Sequence, residues 1–412
     1  MKRAAMLILL FVQLAAAQEI LSDRIKGLRV YGSGPAGIPV AELQSQPITV
    51  EFDVNEAEPP DLKIRVLHCD RDWNVTQNGF LNDVMQNRSK APLAYDRAPD
   101  GVRLYRYHYV VRIPGITGIE RLAYSGNYVF EILDERSTSV LGRGRFFVVE
   151  KLLPLTTKIG NRSLPSGTNP YNQVKKIEVG FSIPKSEGMN GETFFPLLLK
   201  VTDIYRNRQL YNPWRIDADD QDPDTFVDGF GTPALKFVNQ NVPPGNSYRT
   251  IDLSDVTAYP EDRLLRSTKG ADVSRFQMPP GSDHHGRSEV IAGSRYGDYV
   301  PFRFELASEE PQWEQVYVVG DFNAWRPARE WLMTYDATTQ RYICDVSIRR
   351  GVYDYQYVVG PNDWIAVEGN DWRTSNAYSA FVYYRDNRLG GYDRIIGFAQ
   401  WVGTRGKEST SQ

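Results

Sequence analysis

The sequence predicts an all-β protein made of tandem immunoglobulin-like or β-sandwich domains. Short runs of alternating apolar residues recur along the chain, broken by Gly, Pro, Asn and Asp, the pattern of sandwiches and barrels. Helix-period patterns are scarce. The 24 tyrosines, 18 phenylalanines and 8 tryptophans favour pleated, half-buried surfaces.

The chain begins MKRAAMLILLFVQLAAAQEI. Lys2 and Arg3 form a positive n-region, and the apolar run Ala4 to Val12 is too short to span a bilayer. Ala15 and Ala17 occupy the small-residue positions of a signal peptidase site, so residues 1–17 are expected to be a signal peptide. No Cys follows the cut, which argues against a lipid anchor. No later stretch approaches about 18 uninterrupted apolar residues. The expectation is an exported, soluble chain with no direct membrane insertion.

Residues 18–153 are expected to form the first sandwich, from PITVEFDV (47–54), DLKIRVLHCD (61–70), RLYRYHYVVRIP (103–114), GNYVFEIL (126–133) and GRFFVVEK (144–151). In GNYVFEIL, Tyr128, Phe130 and Ile132 point one way and Val129, Glu131 and Leu133 the other, a strand with one well-buried face. LLPLTTKIGNRSLPSG is a Pro/Gly-punctuated connector. KKIEVGFSIP, FFPLLLKVTD (194–203), ALKFVNQ and SYRTIDLSD then give a less regular middle β-domain, 154–257. Residues 258–299 are polar, carry Pro279-Pro280 and His284-His285, and read as a linker or long loop. YVPFRFEL, EQVYVVGDF, RYICDVSI, GVYDYQYVVG and AYSAFVYYR give a C-terminal immunoglobulin-like domain, 300–398, followed by a flexible tail, 399–412.

The formal charge of −3 and pI near 6.0 supply no basic field for nucleic acid. Cys69 and Cys344 each lie inside a strand-like run; a disulfide is open to them in an oxidising compartment, and two buried free thiols fit those runs better. His68 and His108 lie within strands, where hydrogen-bonded structural roles are expected. His284-His285 lacks the H-E-x-x-H or C-x-x-C company of a zinc site. No phosphate-cradling lysine loop or dinucleotide glycine motif is present. Asp217, Asp219, Asp220, Asp222, Asp224 and Asp228 crowd one segment, but Thr225 stands where a calcium loop needs glycine and Gly231 where it needs glutamate. A solvated acidic loop is the expectation. No catalytic, cofactor-binding or metal residue is assigned.

VYVVGDFNAW followed by RYICDVSIRRGVYDYQYVV resembles, over 313–384, the starch- and glycogen-binding module found beside many α-glucan enzymes. By that resemblance Trp325 and Trp364 match the two sugar-stacking indoles and Asn376 the amide that binds hydroxyls, while Gln356 replaces the module's lysine. A flat indole offers an apolar face to a pyranose. The structural reading of the same stretch is a turn at Gly320 and Asn323, Phe322 in the core, and Trp325 over the sandwich edge. The alternative function on these four residues is an exported protein binding an α-glucan-like polysaccharide.

A longer resemblance spans almost the whole mature chain. His68-Cys69-Asp70 with Trp73, Ser125-Gly126-Asn127-Tyr128, and Glu368-Gly369-Asn370 with Thr374 and Asn376 are its best marks. On these the chain resembles the plug-protein family of the Bacteroidota type 9 secretion system. The resemblance implies a periplasmic, non-enzymatic protein without cofactor. Its partner would be the outer-membrane translocon β-barrel, whose pore it closes at the periplasmic end, as a monomer within the complex. Each marked motif also has a structural reading: Gly126-Asn127 turns into a strand, and Trp73 packs over a core Cys69.

Overall fold

A computed structural model describes residues 18–33, 37–83, 85–164, 173–183, 192–220, 222–276 and 278–403. The expected signal peptide, and the tail beyond 403, lie outside the described residues. Among those described, helical structure is confined to four one-turn 3-10 segments and six mostly antiparallel sheets carry the fold. Among the described residues, no helix is long and apolar enough to cross a membrane.

The six sheets pair into three sandwiches, each around one apolar core. In the first, Gln18–Ile20, Ser139–Val149, Gly126–Asp134 and Leu62–Cys69 form one layer, with Val40–Glu42 added in parallel to Ser139–Val149. Ile25–Tyr31, Ile48–Val54, Tyr107–Ile113 and Asp96–Arg97 form the other. Phe52, Ile64, Tyr109, Phe130 and Phe146 are among the residues that fill the space between. The alternation read from the sequence places these side chains inward.

The second sandwich is assembled from distant parts of the chain. Thr156–Ser163, Gln173–Ser182, Ala234–Val242 and Thr225–Asp228 make one sheet; Trp214–Asp217, Val201–Arg206, Asn376–Asp386 and Tyr392–Gly403 make the other. The sequence reading placed AYSAFVYYR in the C-terminal domain and began a tail at 399. Instead that strand pairs with Val201–Arg206, Ala380 opposite Ile204, and the last strand runs through Gly403. Alternation fixes which face a strand buries but not which strand lies beside it.

The third sandwich pairs Arg249–Asp252, Gly351–Val359, Ser288–Val290 and Val316–Gly320 with a sheet of Leu265–Arg266, Tyr299–Ala307, Arg341–Arg349 and Thr334–Asp336. Two of those short strands, Leu265–Arg266 and Ser288–Val290, lie in the stretch read as a polar linker. Ion pairs hold the stretch as well: Arg275 meets Glu368 at 2.9 Å. Most of its residues are exposed or half-buried, so it shows no apolar period.

Candidate functional site

The residues marked by the family resemblance converge on the seams between sandwiches. Between the first and second, an apolar layer runs from Cys69, Trp73, Val129, Phe147 and Val149 to Tyr205, Phe381, Tyr383 and Ile395. Phe147 and Phe381 are fully buried and stack at 4.1 Å, and burying a side chain of that size is worth about 1.5–3 kcal/mol. The expectation of one buried face for GNYVFEIL is therefore corrected. Val129 and Leu133 on its second face are 9% and 7% exposed, and Val129 is covered by the layer shared with the second sandwich.

Polar groups lock this seam. Asn127 of SGNY accepts the Tyr383 hydroxyl at 2.9 Å and donates to the carbonyls of Asp70 and Arg71. Asp393 accepts the Arg71 amide at 3.1 Å. Arg394 reaches Glu150 at 2.6 Å, Glu192 at 2.8 Å and Asp386 at 3.1 Å. Gly126 is more than a turn residue. Its φ of +141° disfavours any side chain, and a Cβ there would sit 2.6 Å from His68 Nε2 and 2.8 Å from the Asp393 carbonyl. His68 accordingly lies under the backbone, with Nδ1 3.2 Å from Thr76 Oγ1 and Nε2 3.2 Å from the Ser125 carbonyl. Burial pushes its imidazole down to about 4, so it is neutral at physiological pH.

The first and third sandwiches meet at Asp53, which is fully buried. It accepts hydrogen bonds from the Tyr299 hydroxyl at 2.8 Å and from Arg349 at 2.9 Å, and pairs with His108 Nδ1 at 2.7 Å. Burial opposes charge on His108, but the hydrogen bonds to Asp53 and Glu51 outweigh it and lift the imidazole to about 9. Where the second and third join, Asn370 accepts the Gly245 amide at 2.9 Å and Thr374 donates to the Gly245 carbonyl at 2.9 Å, while Glu368 pairs with Arg249 and Arg275 inside the third.

The expected sugar-binding residues also lie inside this framework. Trp325 has no solvent exposure; its ring lies 4.1 Å from Tyr248 and its Nε1 donates to the Gly286 carbonyl at 3.1 Å. Trp364 joins it in one small apolar cluster and is 8% exposed. Gln356 is buried and faces the Trp364 carbonyl at 3.4 Å. Asn376 spends its amide on Asn207 and on the Pro244 carbonyl. The fold brings Trp325 and Trp364 together but turns them inward, and Trp325 keeps no open indole face.

The acidic segment is matched by cations: Arg71 to Asp217 at 3.6 Å, Lys200 to Asp219 at 2.6 Å, Arg162 to Asp224 at 3.2 Å and Lys236 to Asp228 at 3.6 Å. Outward-facing apolar residues stand on loops, notably Phe80, Met85, Phe195 and Leu197. The sequence reading put Phe195 and Leu197 within a strand. Pro196 instead opens a 3-10 turn there and sends both side chains out.

Residues 25–150, which span most of the first sandwich, match the family described as type 9 secretion system plug protein 1st domain. Residues 25–150 are thus a first domain of the type 9 secretion plug kind. A crystal structure of a hypothetical protein from Parabacteroides merdae is similar at TM-score 0.74, covering 94% of this chain and 99% of that one at 19% identity. That likeness shows the fold alone and extends it well past the plug domain. A marsupial T cell receptor, at 10% identity over 92% of this chain and 99% of its own, reaches a TM-score of only 0.15 and carries no argument. No curated protein matches the chain. Two of the three marks carrying the family resemblance, His68-Cys69-Asp70 and Ser125-Gly126-Asn127-Tyr128, lie within the matched plug domain.

Proposed function

We propose that the protein is a non-enzymatic periplasmic plug that binds the outer-membrane translocon barrel of the type 9 pathway and closes its pore at the periplasmic end. One observation supports this beyond the match of residues 25–150. A buried ion pair joins each two of the three sandwiches, Arg394 to Glu150, Arg349 to Asp53 and Arg208 to Asp321, so the molecule is built as one stiff body. A stopper must resist deformation, whereas a flexible string of domains would leave gaps. The histidines that a catalytic reading would recruit, His68 and His108, are instead committed to structural hydrogen bonds. Phe80 and Met85, 72% and 73% exposed, offer apolar contacts for a partner.

A tagged mature chain incubated with detergent-solubilised outer membrane should recover one very large β-barrel protein, identified by mass. A strain lacking the gene should admit large solutes across the outer membrane. An intact barrier in that strain, with no barrel recovered, overturns the reading.

A further inference from the structure

Behind the Asp53 seam lies a cavity of about 220 Å³ between the first and third sandwiches. Ile25, Phe52, Phe322, Trp331, Ile348 and Tyr353 supply apolar wall, and a register shift in the strand pairing between Lys26 and Arg29 leaves this edge of the first sandwich irregular. Pockets at domain interfaces, largely apolar with few converging polar groups, are the usual form of a small-molecule site. An apolar cavity of about 150 Å³ is enough to take up benzene. The space here admits a ring with a short substituent, or a chain of roughly eight carbons.

The charges lining it select the ligand's sign. Arg29 and His108 both face Glu51, at 3.2 and 3.3 Å, and Arg349 is paired with Asp53 at 2.9 Å. Lys26 also lines the cavity, its ammonium 5.7 Å over the Tyr299 ring, and it makes no ion pair among the described residues. One cation is left without a carboxylate beside an apolar chamber.

We infer that this cavity binds a small monoanionic amphiphile, a medium-chain acyl or aryl carboxylate, with its head on Lys26 and its body against Phe52, Phe322 and Trp331. Such a ligand would bridge two sandwiches and tighten the seam. The site is independent of the plug reading and of the residues assigned to sugar.

Calorimetric titration of the purified mature chain with octanoate, octylammonium and 1-octanol tests it. Octanoate should bind saturably with one site per chain and at least tenfold more tightly than octylammonium. Lys26→Gln should bring octanoate down about tenfold, to near the 1-octanol level, with an unchanged circular dichroism spectrum. Ile348→Trp, which fills the chamber, should abolish all binding; Lys26→Gln decides the matter if that variant fails to fold. Absence of saturable octanoate binding at millimolar concentration, equal affinity for both charged probes, or an unaffected Lys26→Gln would overturn the inference.

Discussion

Arg208 and Asp321 meet at 2.6 Å where all three sandwiches touch. Arg208 follows a strand of the second sandwich and also donates to the carbonyls of Val30 and Gly37 in the first. Asp321 belongs to the GDFNAW turn of the third. Arg29 approaches it at 3.7 Å, and Ser288 donates a hydrogen bond to it. The turn that sequence alone likened to a sugar site thus supplies the acceptor of a three-way joint.

Breaking that joint should be costly. Arg208 and Asp321 side chains are 8% and 4% exposed, so Asp321→Asn strands a buried guanidinium without its counter-charge. A loss of about 3–5 kcal/mol is expected, since removing one partner of a buried pair leaves an uncompensated charge. Replacing both residues by apolar ones should cost much less. Urea unfolding of the three proteins measures it; a loss below about 1 kcal/mol in Asp321→Asn would mean the joint is not structural.

The two strand histidines predict opposite pH windows. His108 is raised in the folded state, from 6.5 to about 9. The folded form binds its proton more tightly, so its stabilisation is complete below pH 6.5 and is lost as pH rises toward 9. His68 is lowered to about 4; its contribution is present above 6.5 and is lost as pH falls toward 4. Melting temperature against pH should therefore decline on both sides of near-neutral. His108→Gln should flatten the alkaline limb and His68→Gln the acidic one. Unchanged limbs in both variants would remove these residues from the account.

Much of the fold was legible because it follows from local chemistry. Alternation in PITVEFDV and RLYRYHYVVRIP names inward residues correctly, with Val50, Phe52, Tyr109 and Val111 all in the first core. What alternation lacks is partner choice. Nothing near Ala377 or Phe381 tells that their strand crosses back to Val201–Arg206 some 170 positions earlier, because strand pairing is set by three-dimensional packing. The sequence left two readings open at Trp325 for a related reason. Its spacing is shared by a binding indole and a buried one, and only Tyr248 and Gly286, both far away in sequence, separate the two. The seam residues had a weak signal: Asp321 stands between Gly320 and Phe322 and Arg208 between Asn207 and Gln209, which is also how solvent-facing charges look.

Cys69 and Cys344 are both free and buried, in different sandwiches. Burial pushes both thiols up to about 12. The thiolate is the reactive form, so neither should react with a disulfide reagent at pH 8 in the native protein. Both should react once the chain is unfolded, without prior reduction. A single fast-reacting thiol in the native state would show that one seam opens readily, and no reaction after unfolding would show a disulfide.

The side chain that best separates a sugar platform from a core residue is Trp325. As a wholly buried indole under Tyr248, its replacement by Ala should open a cavity and cost about 3–5 kcal/mol. Trp325→Phe retains most of the volume and should cost less, losing mainly the hydrogen bond to the Gly286 carbonyl. Neither variant should alter mobility in a glycogen-containing native gel, because no face of the indole is open to a pyranose. The alternative makes a contrary forecast: wild-type protein retarded by glycogen, with Trp325→Phe relieving the retardation while stability is kept. Unfolding curves and gels on the same preparations distinguish these outcomes. Core packing predicts that stability moves and mobility does not.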